Sequence, residues 1–200
     1  MLNLAITSQN NFYELGLLSL IQNTFDKEGC ENYLFIDSYE NKDKFRANVV
    51  FKDLMVIINI YQESETIDNC PSSSNKPMMT LNIPFKSNQL DIYNIISKIK
   101  KIFVIARLSY FNITKHDAFK QLGLKSNIQL SITESKVVEL TGQGHCVTNI
   151  SKILKRSEKT VLTHRRNASR KLGMLNRLEF YNYASYMKNH SNGETVLVCI

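Results

Sequence analysis

No apolar run in this 200-residue chain approaches the ~20 residues that a membrane-spanning helix requires, so no bilayer-crossing segment is expected. The opening residues, MLNLAITSQNN, lack the cationic segment of a secretory signal, and the expected compartment is the cytoplasm. The four cysteines, Cys30, Cys70, Cys146 and Cys199, are widely scattered. There is no CxxC and no Cys/His pair at zinc spacing, His145 beside Cys146 included, so they read as reduced thiols. A glycine-rich phosphate loop, a nucleophile elbow and a usable acidic pocket are missing too. The expectation is a chain that is not an enzyme and that needs no cofactor and no metal.

What is present is a concentrated block of positive charge. Residues 1–141 hold fifteen Lys/Arg against fifteen Asp/Glu and are neutral. Residues 142–188 hold ten Lys/Arg against only Glu158 and Glu179, and this block carries the whole formal excess of +7 once Glu194 is counted. Such asymmetry is the electrostatic footprint of a polyanion-binding module.

The hydrophobic pattern changes character along the chain. Leu2–Thr7 alternates as a strand, and Leu15, Leu18, Ile21 and Phe25 recur at helical spacing. Glu31–Asp37 reads as a strand. Leu54–Tyr61 (LMVIINIY) is a near-continuous apolar run, as in a strand buried on both faces of a parallel sheet. The Pro/Ser-rich segment 69–77 is a loop, Met78–Ile83 a further strand, and a strong helix follows from Asn88 to about Leu108. Strands alternating with helices predict an α/β domain with a parallel sheet over residues 1–108. Residues 109–129 read as a linker, 130–188 as an all-α domain and 189–200 as a tail.

In the second half, helices follow one another without strands. Ser131 and Glu134 form a capping box, in which each side chain serves the other's backbone N–H. That helix carries Val137, Val138 and Leu140 and stops by Gly144. Ile150, Ile153 and Leu154 mark a short second helix, and Lys155-Arg156 the turn after it. Ser157 caps a third helix that Gly173 ends, with Glu158 suited to the positive end of its dipole. Asn176 and Glu179 start a last helix, which runs to about Met187.

On a helical wheel, Val161, Ala168 and Leu172 share one face of the third helix, with His164 and Arg165 at its edges. His164 is expected to pack there and not to bind metal. Lys159, Leu162, Thr163, Arg166 and Arg170 share the opposite face, with Thr160 and Asn167 just beyond it. One dry face and one cationic face is what a helix–turn–helix needs, because its second helix packs inward while reading the major groove outward. Arginine pairs with guanine, and leucine or a threonine methyl meets the thymine methyl. Lys159 and Thr160 near the helix start suit phosphates.

Leu130-Ser131, Glu134, Val137, Gly144, Ile150, Leu154, Ser157, Thr160-Val161, His164, Asn167, Arg170-Lys171-Leu172-Gly173 and Asn176-Arg177 together resemble the LuxR-type helix–turn–helix domain over about 130–187. The resemblance implies a four-helix DNA-binding unit whose third helix enters the major groove of double-stranded DNA. It makes Leu162, Thr163 and Arg166 the base readers and places Lys159, Thr160, Arg170 and Lys171 near phosphates. Leu162 departs from the lysine that often follows the Thr-Val pair, so sequence preference is expected to differ from that of typical members. The family usually binds paired half-sites, which implies a homodimer or a heterodimer with another LuxR-type regulator. Helix 88–108, or a last-helix stripe of Leu178, Tyr181 and Ala184 or Ser185, offers a partner face.

The N-terminal half resembles a shortened response-regulator receiver, chiefly at Gly16-Leu17-x-Ser19-Leu20-Ile21 and at Lys86 before the long helix. Ser8 and Gln9 stand where a receiver's Mg²⁺-binding acids belong, although that ion demands hard oxygen ligands. LMVIINIY offers no aspartate to accept a phosphoryl group. The resemblance implies regulation without phosphoryl transfer, and a kinship with enteric regulators of capsule and fimbriae implies a co-regulator role.

Overall fold

The computed structural model describes residues 2–26, 33–35, 47–61, 77, 79–86, 90–108, 124–190 and 194–200. Cys30, Cys70, most of the loop 69–77, the start of the helix at Asn88 and the linker up to residue 123 lie outside them.

Strands β1 (Leu2–Thr7), β2 (Tyr33–Phe35), β3 (Val49–Lys52), β4 (Met55–Ile60), β5 (Met79–Pro84) and β6 (Glu194–Leu197) form one sheet in the order β2-β1-β3-β4-β5-β6. β1 runs parallel to β2 and β3, and β6 runs parallel to β5. β4 is antiparallel to both its neighbours. The α/β class stands, but the expected parallel sheet is mixed. The reason is the connection between β3 and β4, which is only Asp53-Leu54. Two residues close a hairpin, whereas a parallel crossover needs a dozen or more. The run read as LMVIINIY is β4, and it is indeed buried on both faces. Val56 and Ile58 point into one core, Met55 and Ile57 into another.

The strand beside β1 is therefore VVFK, and Asp53 follows it directly. An aspartate thus stands at the end of the strand next to β1, where the sequence reading found none. Its carboxylate accepts the Ser8 hydroxyl.

Helices α1 (Asn11–Asp26) and α2 (Ile92–Leu108) cover one face of the sheet. Leu17, Ile21 and Phe25 from α1 and Ile99, Ile102, Phe103 and Ala106 from α2 pack on Leu4, Phe51, Ile58, Leu81 and Ile83. Leu15 of the expected stripe is instead exposed. Asp91 accepts the Asn94 N–H at 2.8 Å, so α2 starts later than its periodicity suggests.

Helices α3 (Ile132–Gly142), α4 (Val147–Leu154), α5 (Glu158–Lys171) and α6 (Arg177–His190) form a helical unit, and α3, α5 and α6 pack on the other face of the sheet. Val137, Leu140, Ile150 and Val161 hold the first three helices together. Val138, Ala168, Leu172, Met174, Phe180, Tyr183 and Ala184 pack with Met55 and Ile57 of β4. Gly142 is required where α3 crosses α6, because a β-carbon there would overlap the Ala184 carbonyl. The chain thus has three layers, with the helical unit lying on the sheet.

The expected tail returns to that sheet as β6. Its residues Val196 to Cys199 are all buried, and the Val198 N–H donates to the Asn82 carbonyl at 2.9 Å. The Gln129 side chain donates to the Cys199 carbonyl at 2.8 Å and accepts its N–H at 2.9 Å. Four residues of alternation were too short to stand out in the sequence, yet they satisfy an otherwise open edge of β5. The helical unit is tied to the sheet at both ends.

Candidate nucleic-acid interface

The interface starts from the cap of α5. Ser157 Oγ accepts the Thr160 N–H at 3.1 Å and lies 2.8 Å from the Thr160 hydroxyl. Lys155 takes the left-handed conformation (φ 50°) in the preceding turn, and Gly173 (φ 71°) ends the helix. Val161, Ala168 and Leu172 are buried, as the wheel requires. With that face inward, Lys159, Leu162, Thr163, Arg166 and Arg170 are all exposed. Leu162, at 39 % exposure, is a partly covered apolar residue among cations.

The remaining expected site residues sit differently. Asn167 is half-buried at the border of the outer face. Thr160 is half-buried and engaged with its cap, and Thr163 Oγ1 donates to the Lys159 carbonyl at 3.0 Å. Lys171 turns inward. Its Nζ lies 2.8 Å from Glu134 Oε2 and 2.8 Å from the Gln129 carbonyl. Burial pushes the Glu134 carboxyl up, but the Lys171 hydrogen bond, the Ser131 bonds and the Lys171 charge outweigh it and hold the group below the usual glutamate range. Lys171 is thus a brace between α5 and the capping box of α3, where Ser131 N donates to the same Glu134 oxygen at 2.8 Å.

Two cations outside the expected set join the interface. Arg165 and Arg177 both donate to the Tyr181 hydroxyl, at 3.2 and 3.3 Å, and their guanidinium carbons lie 6.0 and 5.2 Å from its ring centre. Stacked guanidinium groups are held in a fixed orientation suited to phosphate. With Arg166 and Arg170 they line an open groove of about 660 Å³ between α5 and the start of α6. Four arginines and no acidic residue line it, so the potential in the groove is positive and favours anions. Arg165 stood at the edge of the wheel and Arg177 was only part of the family pattern; Tyr181, one turn along α6, was the available signal. Of the proposed partner stripe, Leu178 and Ser185 are exposed, Tyr181 is engaged with the arginines and Ala184 is buried.

Elsewhere, among the described residues, no cluster of His, Cys, Asp and Glu is placed to hold a metal ion, and no helix is long and apolar enough to cross a membrane.

Residues 128–184 match the family model described as GerE, bacterial regulatory proteins, luxR family. No curated protein matches the chain. Among solved structures it is similar to a two-component response regulator RcsB–DNA complex, with 20 % identity, coverage of 92 % of this chain and 98 % of that one, and a TM-score of 0.34. It is likewise similar to RcsB from Salmonella enterica serovar Typhimurium bound to promoter P1flhDC, with 20 % identity, coverage of 92 % and 98 %, and a TM-score of 0.35. The matched segment contains the capped, cationic α5 and its arginine groove, so this part of the chain is similar to the bacterial regulatory proteins of the luxR family.

Proposed function

We propose that the chain is a sequence-specific transcriptional regulator of the cytoplasm that reads double-stranded DNA through α5. The supporting observation is the division of that helix. Val161, Ala168 and Leu172 are locked in the core, while Leu162, Thr163 and Arg166 stand exposed beside the other three groove-lining arginines, Arg165, Arg170 and Arg177. Leu162, Thr163 and Arg166 read bases. Lys159 and Arg170 hold phosphates, joined by Arg165 and Arg177. Thr160 and Asn167 flank this set, and Lys171 braces it from behind.

Regulation proceeds without phosphoryl transfer. Ser8 and Gln9 replace the acids that would hold Mg²⁺, Asp53 is hydrogen-bonded to the Ser8 hydroxyl, and Lys86 is paired with Glu179 at 2.6 Å. The active unit is a dimer, because one α5 covers a single half-site. The second reading is a co-regulator that heterodimerises with another LuxR-type protein and binds DNA weakly alone. It draws on Leu162, which stands where the family often has a lysine, and on the exposed Leu175 and Leu178 (77 % and 69 %).

Selection of binding sites from a random duplex pool by the purified full-length chain tests this. A recovered motif with two half-sites supports the homodimer. A motif recovered only when a second LuxR-type protein is added supports the co-regulator. No motif in either arm overturns the sequence-specific reading.

A further inference from the structure

Lys86 follows β5 and belongs to the N-terminal half, yet its partner belongs to the DNA-binding unit. Phe85 is fully buried, stacks edge-on against Phe51 at 5.8 Å and donates its N–H to the Leu54 carbonyl at 3.0 Å. That anchor fixes where Lys86 can reach. Its Nζ lies 2.6 Å from Glu179 Oε2, with side-chain exposures of 11 % and 23 %. The same carboxylate oxygen accepts the Leu175 N–H at 2.8 Å, and the Glu179 N–H donates to Asn176 Oδ1 at 2.9 Å. Glu179 therefore closes the turn between α5 and α6. Leu175, Asn176, Arg177 and Phe180, its neighbours on both sides, line the arginine groove.

Glu179 is one of only two acidic residues in the basic block, and its carboxylate holds the backbone of Leu175, which lines the groove. The negative charge of a carboxylate so close to the lining opposes an anion bound in the groove. We propose that Lys86 is a positioning residue for DNA binding: it neutralises Glu179 and holds the α5–α6 turn, so the N-terminal half sets the strength of the phosphate groove. This inference rests on the reading of the helical unit as DNA-binding. The work of Lys86 is electrostatic and conformational, with no contact to DNA of its own.

Double-mutant logic tests it on a fluorescein-labelled random-sequence duplex, which reports phosphate binding whether or not a specific motif exists. Lys86→Ala is expected to weaken binding about tenfold, since loss of one positive charge acting over a distance on the order of 10 Å at an effective dielectric near 20 contributes on that scale. Glu179→Gln keeps an acceptor for the Leu175 N–H while removing the charge, and is expected to bind at least as tightly as the parent. The double variant Lys86→Ala/Glu179→Gln is expected to recover to within about threefold of the parent, because the charge that Lys86 offsets is gone. Loss in the double variant equal to that in Lys86→Ala overturns the proposal and assigns Lys86 a direct DNA contact. Unchanged binding by Lys86→Ala overturns it as well. Parallel loss of affinity and melting temperature in all three variants reduces Lys86 to a fold-holding residue. If the parent itself does not bind the duplex, the DNA-binding reading fails first, and that outcome is distinct from the others.

Discussion

Replacing Lys171 separates a phosphate contact from a structural brace. Lys171→Met keeps the aliphatic stem and removes the charge. The parent Nζ makes two bonds of 2.8 Å, to Glu134 Oε2 and to the Gln129 carbonyl. Removing one partner of a buried ion pair costs about 3–5 kcal/mol. The Lys171 side chain is 20 % exposed and the Glu134 side chain 6 %, so solvent reaches one end of this pair. We therefore take about 2–3 kcal/mol, which for a chain of this size lowers Tm by roughly 5–10 °C. Glu134→Gln should do much the same, since an amide oxygen still accepts the Ser131 N–H. The two changes together should cost less than their sum, because each alone strands the other group. DNA titrations at several salt concentrations complete the assay. A brace leaves the salt slope unchanged at temperatures where the variant is folded. An unchanged Tm with a slope reduced by about one unit would refute the brace and return Lys171 to the phosphates.

Three further outcomes follow from the same contacts. Arg166→Ala should cost about 1–3 kcal/mol on the selected site and relax preference there while leaving Tm in place; equal loss on selected and random duplexes contradicts a base-reading role. Glu134 titrates below the usual glutamate range in the folded chain. Its stabilisation is therefore full above the ordinary value of ~4.3 and fades as pH falls below it, so the gap in unfolding free energy between parent and Glu134→Gln should close on acidification. A gap that widens toward low pH has the wrong sign. Gly142→Ala should lower stability by about 1–3 kcal/mol or more, because the added β-carbon meets the Ala184 carbonyl on α6 and backbone cannot rotate away. An unchanged melt shows that the two helices do not cross so closely.

The helix–turn–helix was legible in the sequence because its signals are local. The capping box at Ser131 and Glu134, the Ser157 cap and the wheel of α5 depend on residues a few positions apart, and all appear in the structure. Signals that depend on distant partners were not legible. The four residues of β3 are too few for periodicity, so the aspartate that ends the strand beside β1 was overlooked. The hairpin that makes the sheet mixed lies in a two-residue spacing between runs that look like one. β6 joins β5 across more than a hundred residues. Lys171 looked like its basic neighbours because a wheel shows direction but not what stands opposite. The arginine groove draws on both α5 and α6, so no single helix reveals it.

The central claim is that the exposed face of α5 reads DNA, and fluorescence anisotropy over a salt series tests it most directly. The full-length chain is titrated onto promoter duplex from its own genomic neighbourhood and onto a scrambled duplex. The account predicts affinity that falls steeply with salt on both, through release of counterions from the phosphates, and a persistent preference for the promoter duplex. Binding that is weak, indifferent to sequence and insensitive to Leu162, Thr163 and Arg166 substitutions would contradict it.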